Sequence, residues 1–258
     1  MKVLIINPTG GSPIHGPNLR SYNLAKNLNL IGCKTSIISN SFFHKFHKKP
    51  KISGDVTLEI IDGIKYYWVK SIIYKKRGFL QILNQIIFAY KLKKHFSKID
   101  ENNFDVIIYS SPTPFAIFSA VKIKNKINSK LIFEIRDLWP MVIQEIGNFS
   151  NFNPFIIILK WIEKYSYYKS DHIVSVKEGD LDYIFKKFKI PHKNLSFIPN
   201  GYDLKNINSK KNKDFIKEKK NKKFIVGYVG SLSAAYALDQ LIKAAEILKP
   251  YKSIHFHI

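Results

Sequence analysis

Short runs of β-branched and aromatic residues alternate with longer stretches of helical period along this chain, and that alternation leaves few folds open. Parallel strands need a crossover of a dozen or more residues, which a helix supplies, so the pattern predicts an α/β chain with a mainly parallel sheet. Residues 2–7 read as a first strand, and residues 8–17 as a glycine- and proline-rich loop. Residues 18–31 have helical spacing through Leu19, Tyr22, Ala25 and Leu28, stop at Gly32, and lead to a strand over 35–39. Residues 56–61 and 64–69, joined by Asp62-Gly63, predict a hairpin, because that dipeptide tolerates the positive φ of a two-residue turn. A helix over 79–96 then places Phe79, Leu83, Ile86 and Tyr90 on one face.

The unit repeats: strand 105–109, helix 114–124, strand 130–134, helix 155–168, strand 172–176, helix 178–188 and strand 195–198. Pro199-Asn200-Gly201 closes this run. Residues 204–222 are dominated by Lys and Asn and predict a basic linker between a first domain over 1–203 and a second over 223–258. In the second, a strand over 223–229, a helix over 235–248 and a strand from Ser253 make one β-α-β beginning. Such a beginning cannot cover both faces of its own sheet, so the expectation is a donor-side domain cut short at Ile258.

Composition narrows the function classes. The single cysteine, Cys33, excludes an internal disulfide, and a reducing cytosol is the simplest compartment. The first apolar run is too short for a secretory signal, and the longest runs, such as residues 155–159, fall far below the roughly 18 residues of a spanning helix. The net charge of +23 raises a nucleic-acid-binding reading, but arginine occurs only at Arg20, Arg77 and Arg136. The remaining cations are lysines in a chain rich in Ile, Asn, Phe and Tyr, as an AT-rich genome would supply, so solvated surface accounts for much of the charge and no nucleic-acid partner is expected. A positive surface still attracts phosphorylated ligands and anionic lipid. The helix over 79–96, flanked by Lys75, Lys76, Arg77, Lys91, Lys93 and Lys94, reads either as a peripheral membrane anchor or as a core-packing helix with a basic outer face.

Three loops follow the carboxyl ends of the expected strands, where open α/β sheets bind ligands. The loop over 8–20 carries Gly11 and Gly16, whose backbone can approach a phosphate or sugar closely, but it lacks both the G-x-G-x-x-G and Walker spacings. Residues 133–140 bring Glu134, Arg136 and Asp137 beside Trp139. This set suits a sugar site, with carboxylates for hydroxyls or proton transfer, an arginine for anions and an aromatic platform; it equally suits an Arg136–Asp137 ion pair with Asp137 capping the next helix. Gly230 and Ser231 open the second domain, where a helix N-terminus could seat a diphosphate. The histidines show no metal-ligand spacing, and neither a metal nor a bound cofactor is expected.

Taken together, these segments resemble glycosyltransferase family 4. The resemblance runs through the loop ending at Arg20, residues 134–140 and 170–176, the Ile198-Pro199-Asn200-Gly201-Tyr202-Asp203 element, and residues 226–232. It implies a GT-B architecture: a Rossmann-like acceptor-side domain, then a Rossmann-like donor-binding domain. It implies retaining transfer from a nucleotide diphosphate sugar, UDP-linked, to a lipid-linked or glycan acceptor in O-antigen or capsule synthesis, on the cytoplasmic side. It also implies that Gly11, Gly16, Arg20, Glu134, Arg136 and Asn200 contact substrate, with Gly230 and Ser231 at the donor phosphate. Asp137 stands where many relatives carry a histidine, and is the candidate catalytic group. The family's phosphate-binding cations and E-x₇-E element have no counterpart within these residues, so the chain alone is expected to be inactive. The rivals are a non-catalytic acceptor-binding half that works with a separate donor-binding chain, and a basic nucleic-acid-binding module.

Overall fold

Burial of alternate strand residues on opposite faces organises the first part of the chain around one eight-stranded sheet. The structure is a computed structural model that describes residues 1–75, 78–99, 103–201, 224–230, 232 and 236–257. The strands are β1 (Lys2–Ile6), β2 (Lys34–Asn40), β3 (Val56–Ile61), β4 (Ile64–Val69), β5 (Val106–Ser110), β6 (Lys130–Ile135), β7 (His172–Ser175) and β8 (Leu195–Phe197). Their spatial order is β3-β4-β2-β1-β5-β6-β7-β8, and every neighbouring pair is parallel except β3 with β4. That hairpin turns at Asp62 (φ 49°) and Gly63 (φ 78°), the positive-φ pair that matches the twist of its strands.

Among the described residues this unit has six α-helices, α1 (Arg20–Leu30), α2 (Phe79–His95), α3 (Ile117–Ile127), α4 (Met141–Gly147), α5 (Pro154–Lys169) and α6 (Gly179–Phe188). Strand residues one step apart enter different cores. Val3, Ile5 and Ile37 pack with Tyr22 and Ala25 of α1, whereas Leu4, Ile6 and Ile38 pack with Phe88 and Leu92 of α2, Ala120 of α3, Ile162 of α5 and Ile184 of α6. So α1 covers one face, and α2, α3, α5 and α6 form a layer on the other.

Two expectations change, and the open choice of the packed face of α2 is narrowed. α1 begins at Arg20 rather than at 18, because Asn18 sits in the left-handed region (φ 73°), a conformation asparagine tolerates. α4 entered the sequence reading only as a helix without bounds that Asp137 might cap; it is seven residues long and buries none of them, so it leaves no periodic apolar pattern. In α2 the buried stripe is Asn84, Gln85, Phe88, Ala89 and Leu92, while Phe79, Ile86 and Tyr90 are exposed. The reason is polar. Asn84 donates to the Ile72 carbonyl at 2.6 Å and accepts from Asn40 Nδ2 at 2.8 Å, and these bonds turn its side of the helix toward the sheet.

The chain divides into two compact units, Met1–Gly201 and Tyr202–Ile258. In the second, β9 (Phe224–Gly227) and β10 (Ile254–His257) are parallel, with α7 (Leu238–Ile247) between them in sequence. The expected linker over 204–222 lies outside the described residues, as do Lys76, Arg77, Tyr202, Asp203, Ser231 and Ile258. No helix among the described residues is long and apolar enough to cross a membrane.

Candidate functional site

β1 and β5 are neighbours, yet the chain leaves them in opposite directions, toward β2 from one and β6 from the other. That reversal opens a crevice at the carboxyl ends of the strands, the usual ligand position in an open α/β sheet. The loops after β1 and β6 and the end of β8 all meet at this edge.

The loop after β1 is fixed from below by polar groups of the sheet. Ser39 Oγ donates to the Gly10 carbonyl at 2.9 Å, and Tyr66 OH donates to the Gly11 carbonyl at 3.1 Å. Ser12 Oγ and His15 Nδ1 are 2.8 Å apart, and the buried His15 ring lies edge-on to Trp68. Burial lowers the pKa of His15, opposed by the Glu59 carboxylate. Gly11 is required by packing: a Cβ there would stand 2.0 Å from the Pro17 carbonyl oxygen and 2.3 Å from that of Gly16. Gly16 is required by its backbone, with φ at 123°. Both glycines therefore act in shaping the loop.

Arg20, at the start of α1, reaches across the edge. Its Nε donates to Glu134 Oε1 at 2.9 Å, Nη2 to the Ile198 carbonyl at 2.9 Å, and Nη1 to the Pro199 carbonyl at 2.8 Å and Asn200 Oδ1 at 3.2 Å. The second oxygen of Glu134 accepts from Ser110 Oγ at 2.7 Å, and the Glu134 side chain is only 4% exposed. Both carboxylate oxygens are thus committed. Arg20, Glu134 and Asn200 form one clasp joining α1, β5, β6 and the segment after β8.

The Arg136 side chain turns toward the first loop, where Nη2 donates to Asn18 Oδ1 at 2.8 Å. Asn18 in turn donates to the carbonyl and hydroxyl of Thr9, at 3.0 and 3.1 Å. Burial lowers the Arg136 pKa, against the attraction of Glu134 and Asp137, and its buried Nη1 has no hydrogen-bond partner. The Asp137 carboxylate pairs instead with Lys177 Nζ at 3.1 Å, with the two side chains 45% and 55% exposed. The following helix starts after Pro140 with no side-chain cap, so Asp137 does not cap it. Of the two carboxylates in residues 134–137, Asp137 is the one open to solvent.

Below Asp137 and Trp139 a cavity of about 30 Å³ lies between the ends of β5 and β6 and the inner side of α5. Tyr109, Phe133, Leu159 and Glu163 line it. Glu163 accepts from Tyr167 and Tyr183 hydroxyls at 3.2 Å each, and burial raises its pKa, opposed by Lys187. Asn18, Ser110 and Glu163 escaped the sequence reading; Asn18, two residues before Arg20 in a glycine loop, carried a usable signal in its tolerance of positive φ. In the second unit Gly230 is exposed, with the Tyr228 hydroxyl 2.6 Å from where a Cβ would stand. Among the described residues no group of three His, Cys, Asp or Glu side chains could hold a metal ion.

Residues 15–206 match the model of glycosyltransferase family 4. The chain belongs to that family. Solved structures share the fold of this family 4 chain at low identity. Sucrose-phosphate synthase from Thermosynechococcus elongatus aligns over 99% of the chain and 61% of its own length, at 14% identity and a TM-score of 0.67. The catalytic domain of starch synthase IV from Arabidopsis thaliana, bound to ADP and acarbose, aligns over 100% and 73%, at 10% identity and a TM-score of 0.61. Anabaena HepE in complex with UDP and glucose aligns over 99% and 60%, at 15% identity and a TM-score of 0.55. The family 4 chain therefore spans about 60% of the length of two of these three relatives. No curated protein sequence matches it. The mainly parallel α/β architecture is that of the GT-B glycosyltransferases.

Proposed function

We propose that this chain serves a retaining, metal-independent glycosyltransferase, with the first unit holding the acceptor and the second the nucleotide of a UDP-linked sugar. The acceptor is a lipid-linked or free glycan of bacterial surface polysaccharide synthesis, handled at the cytoplasmic side of the membrane. The observation that carries the residue assignment is the contrast between two carboxylates. Glu134 is sealed, with both oxygens bonded, whereas Asp137 is open and held only by a solvated lysine. Asp137 is therefore the group that meets the acceptor hydroxyl and takes up its proton. Arg136 holds the loop of Gly11 and Gly16 against it through Asn18. In the second unit, Gly230 and Ser231 receive the donor phosphates, and negative charge on the departing diphosphate is stabilised by backbone N–H groups and cations. The HepE structure holds UDP and glucose and the starch synthase IV structure ADP and acarbose, which supports a nucleotide-linked sugar as the donor.

Two measurements test the reading. Glycan and lipid-pyrophosphate acceptors are titrated calorimetrically into the chain, and transfer is assayed against a panel of nucleotide sugars. Saturable acceptor binding that weakens tenfold or more in Arg136→Ala is expected. Absence of acceptor binding together with absence of transfer from every donor would overturn it.

A further inference from the structure

The cavity beside Asp137 leads from the open edge of the sheet into the core. At its outer end stand Asp137, with a side chain 45% exposed, and the half-buried Trp139. At its inner end lie Glu163, with a side chain 2% exposed, and the buried Tyr167. The walls between them are already in place. Tyr109 OH donates to the Thr113 carbonyl, which ties down the loop after β5, and the Tyr109 ring stacks on Phe133 with centroids 5.8 Å apart. Leu159 and Ile162 of α5 complete the lining. Size limits what can enter. A single water needs roughly 10–15 Å³ of such space, so a cavity of about 30 Å³ takes a group of about two or three non-hydrogen atoms and not a sugar ring.

The chemistry of the inner end narrows the choice further. The Tyr167 and Tyr183 hydroxyls both donate to the same carboxyl oxygen, Glu163 Oε1. The other oxygen, Oε2, is buried without a hydrogen bond, and Lys187 Nζ stands off at 3.8 Å. A buried polar atom left unpaired is costly. Because Oε1 already accepts two O–H groups, the proton of the neutral acid belongs on Oε2, and burial favours that neutral form. Oε2 is then a donor that lacks an acceptor. A fitting occupant offers one uncharged acceptor oxygen beside apolar surface for Phe133, Leu159 and Ile162. An acetyl group branches into those two parts, a carbonyl oxygen and a methyl. A carboxylate or an ammonium group would give up its hydration to apolar walls. A hydroxymethyl group ends in its polar atom and brings no methyl to them.

We infer that this cavity receives the acetyl end of an acetamido group on the acceptor sugar, with the methyl against Phe133 and Leu159 and the carbonyl oxygen on Glu163. The inference rests on the reading that the first unit holds the acceptor with a hydroxyl at Asp137, and it names the acceptor class as a 2-acetamido sugar. The acetamido group of a sugar lying at Asp137 enters between Asp137 and Trp139, and the ring stays outside.

The test needs no sugar transfer. Methyl glycosides of N-acetylglucosamine, N-acetylgalactosamine, glucose and galactose are titrated into the chain and followed by saturation-transfer NMR. At least one acetamido sugar should bind about tenfold or more tighter than its 2-hydroxy parent, the worth of one small group in an apolar pocket. Its acetyl methyl should show cross-relaxation to the Leu159 methyl groups of the native chain, a contact read without any variant. Leu159→Phe, which fills the cavity, should abolish the preference while leaving circular dichroism and binding of the parent sugar unchanged. Glu163→Leu should weaken the preference, and Glu163→Gln, whose amide still donates to a carbonyl, should restore it. Equal binding of acetamido and 2-hydroxy sugars would overturn the inference and leave the acceptor site standing. A preference that persists in Leu159→Phe, or an acetyl methyl without cross-relaxation to Leu159, would overturn it too. Binding of none of the four sugars also overturns it, and the acceptor reading is then judged on the larger glycan and lipid-pyrophosphate acceptors.

Discussion

Arg20 and Glu134 are 114 residues apart in sequence and 2.9 Å apart in space, in a side-chain pair that is 12% and 4% exposed. The pair stands at the edge where four segments meet, and its strength depends on both members being present. Removing one partner of a buried, hydrogen-bonded pair leaves the other charge uncompensated, a loss of about 3–5 kcal/mol.

Glu134→Ala is therefore expected to lower the melting temperature by about 10 °C, given roughly 2–4 °C per kcal/mol for a unit of this size. Arg20→Met combined with Glu134→Met should recover part of the loss, because neither charge is then stranded. Differential scanning calorimetry of the two variants decides; equal losses would show that the pair is not electrostatically coupled.

Asp137→Asn should behave in the opposite way. Its partner Lys177 is largely in solvent, and an exposed pair of this kind contributes about 0–1 kcal/mol. The expected outcome is a nearly unchanged melting temperature and, in a preparation completed with a donor-binding domain so that it transfers sugar, a rate reduced by about a hundredfold or more, the usual share of a positioned acid or base. A variant with full transfer would remove Asp137 from the chemistry.

Gly11→Ala should disturb the first loop more than Gly32→Ala, which meets nothing within 4 Å although its φ of 87° carries a backbone cost. At Gly11 the new methyl group would overlap two backbone carbonyl oxygens, so the loop over 8–17 must move. Backbone amide shifts at Asn18 and Arg136 in NMR spectra report that movement. Unchanged shifts there would mean the loop is not held as tightly as its contacts imply.

Glu163 gives a pH signature. Its folded carboxyl has a pKa raised above the ordinary value of 4.5, first by burial. Its contribution to stability is thus fully present below the unfolded pKa and is lost as pH rises through the folded one. Glu163→Gln stays neutral, so the stability difference between variant and native chain should shift in the variant's favour from about pH 4.5 upward. A pH-independent difference in urea midpoints would count against it.

Much of the first unit was legible because its strands are apolar runs separated by helical spacing, a pattern that depends only on near neighbours in sequence. The edge loops were legible for the same reason: Gly16, Arg20 and residues 134–137 each follow a strand. What joins them was not. That Arg20 would bond to Ile198, Pro199 and Asn200, or that Arg136 would bond to Asn18 rather than Asp137, depends on contacts across more than a hundred residues that no local pattern encodes. Which face of α2 packs on the sheet was left open for a related reason. Two stripes of that helix carry apolar residues, and the choice between them was made by hydrogen bonds of Asn84 to Ile72 and Asn40.

The lysines of α2, α3 and α5 that have no carboxylate partner among the described residues, Lys93 and Lys122 among them, bear on the free energy of folding. Like charges held on adjoining helices repel one another, and the unfolded chain relieves that repulsion by spreading them apart. Mobile ions shorten the reach of the field to about 10 Å at 0.1 M ionic strength and about 3 Å at 1 M. Added sodium chloride should therefore raise the thermal midpoint of this chain, with the gain concentrated at low ionic strength, where the lysines still sense one another.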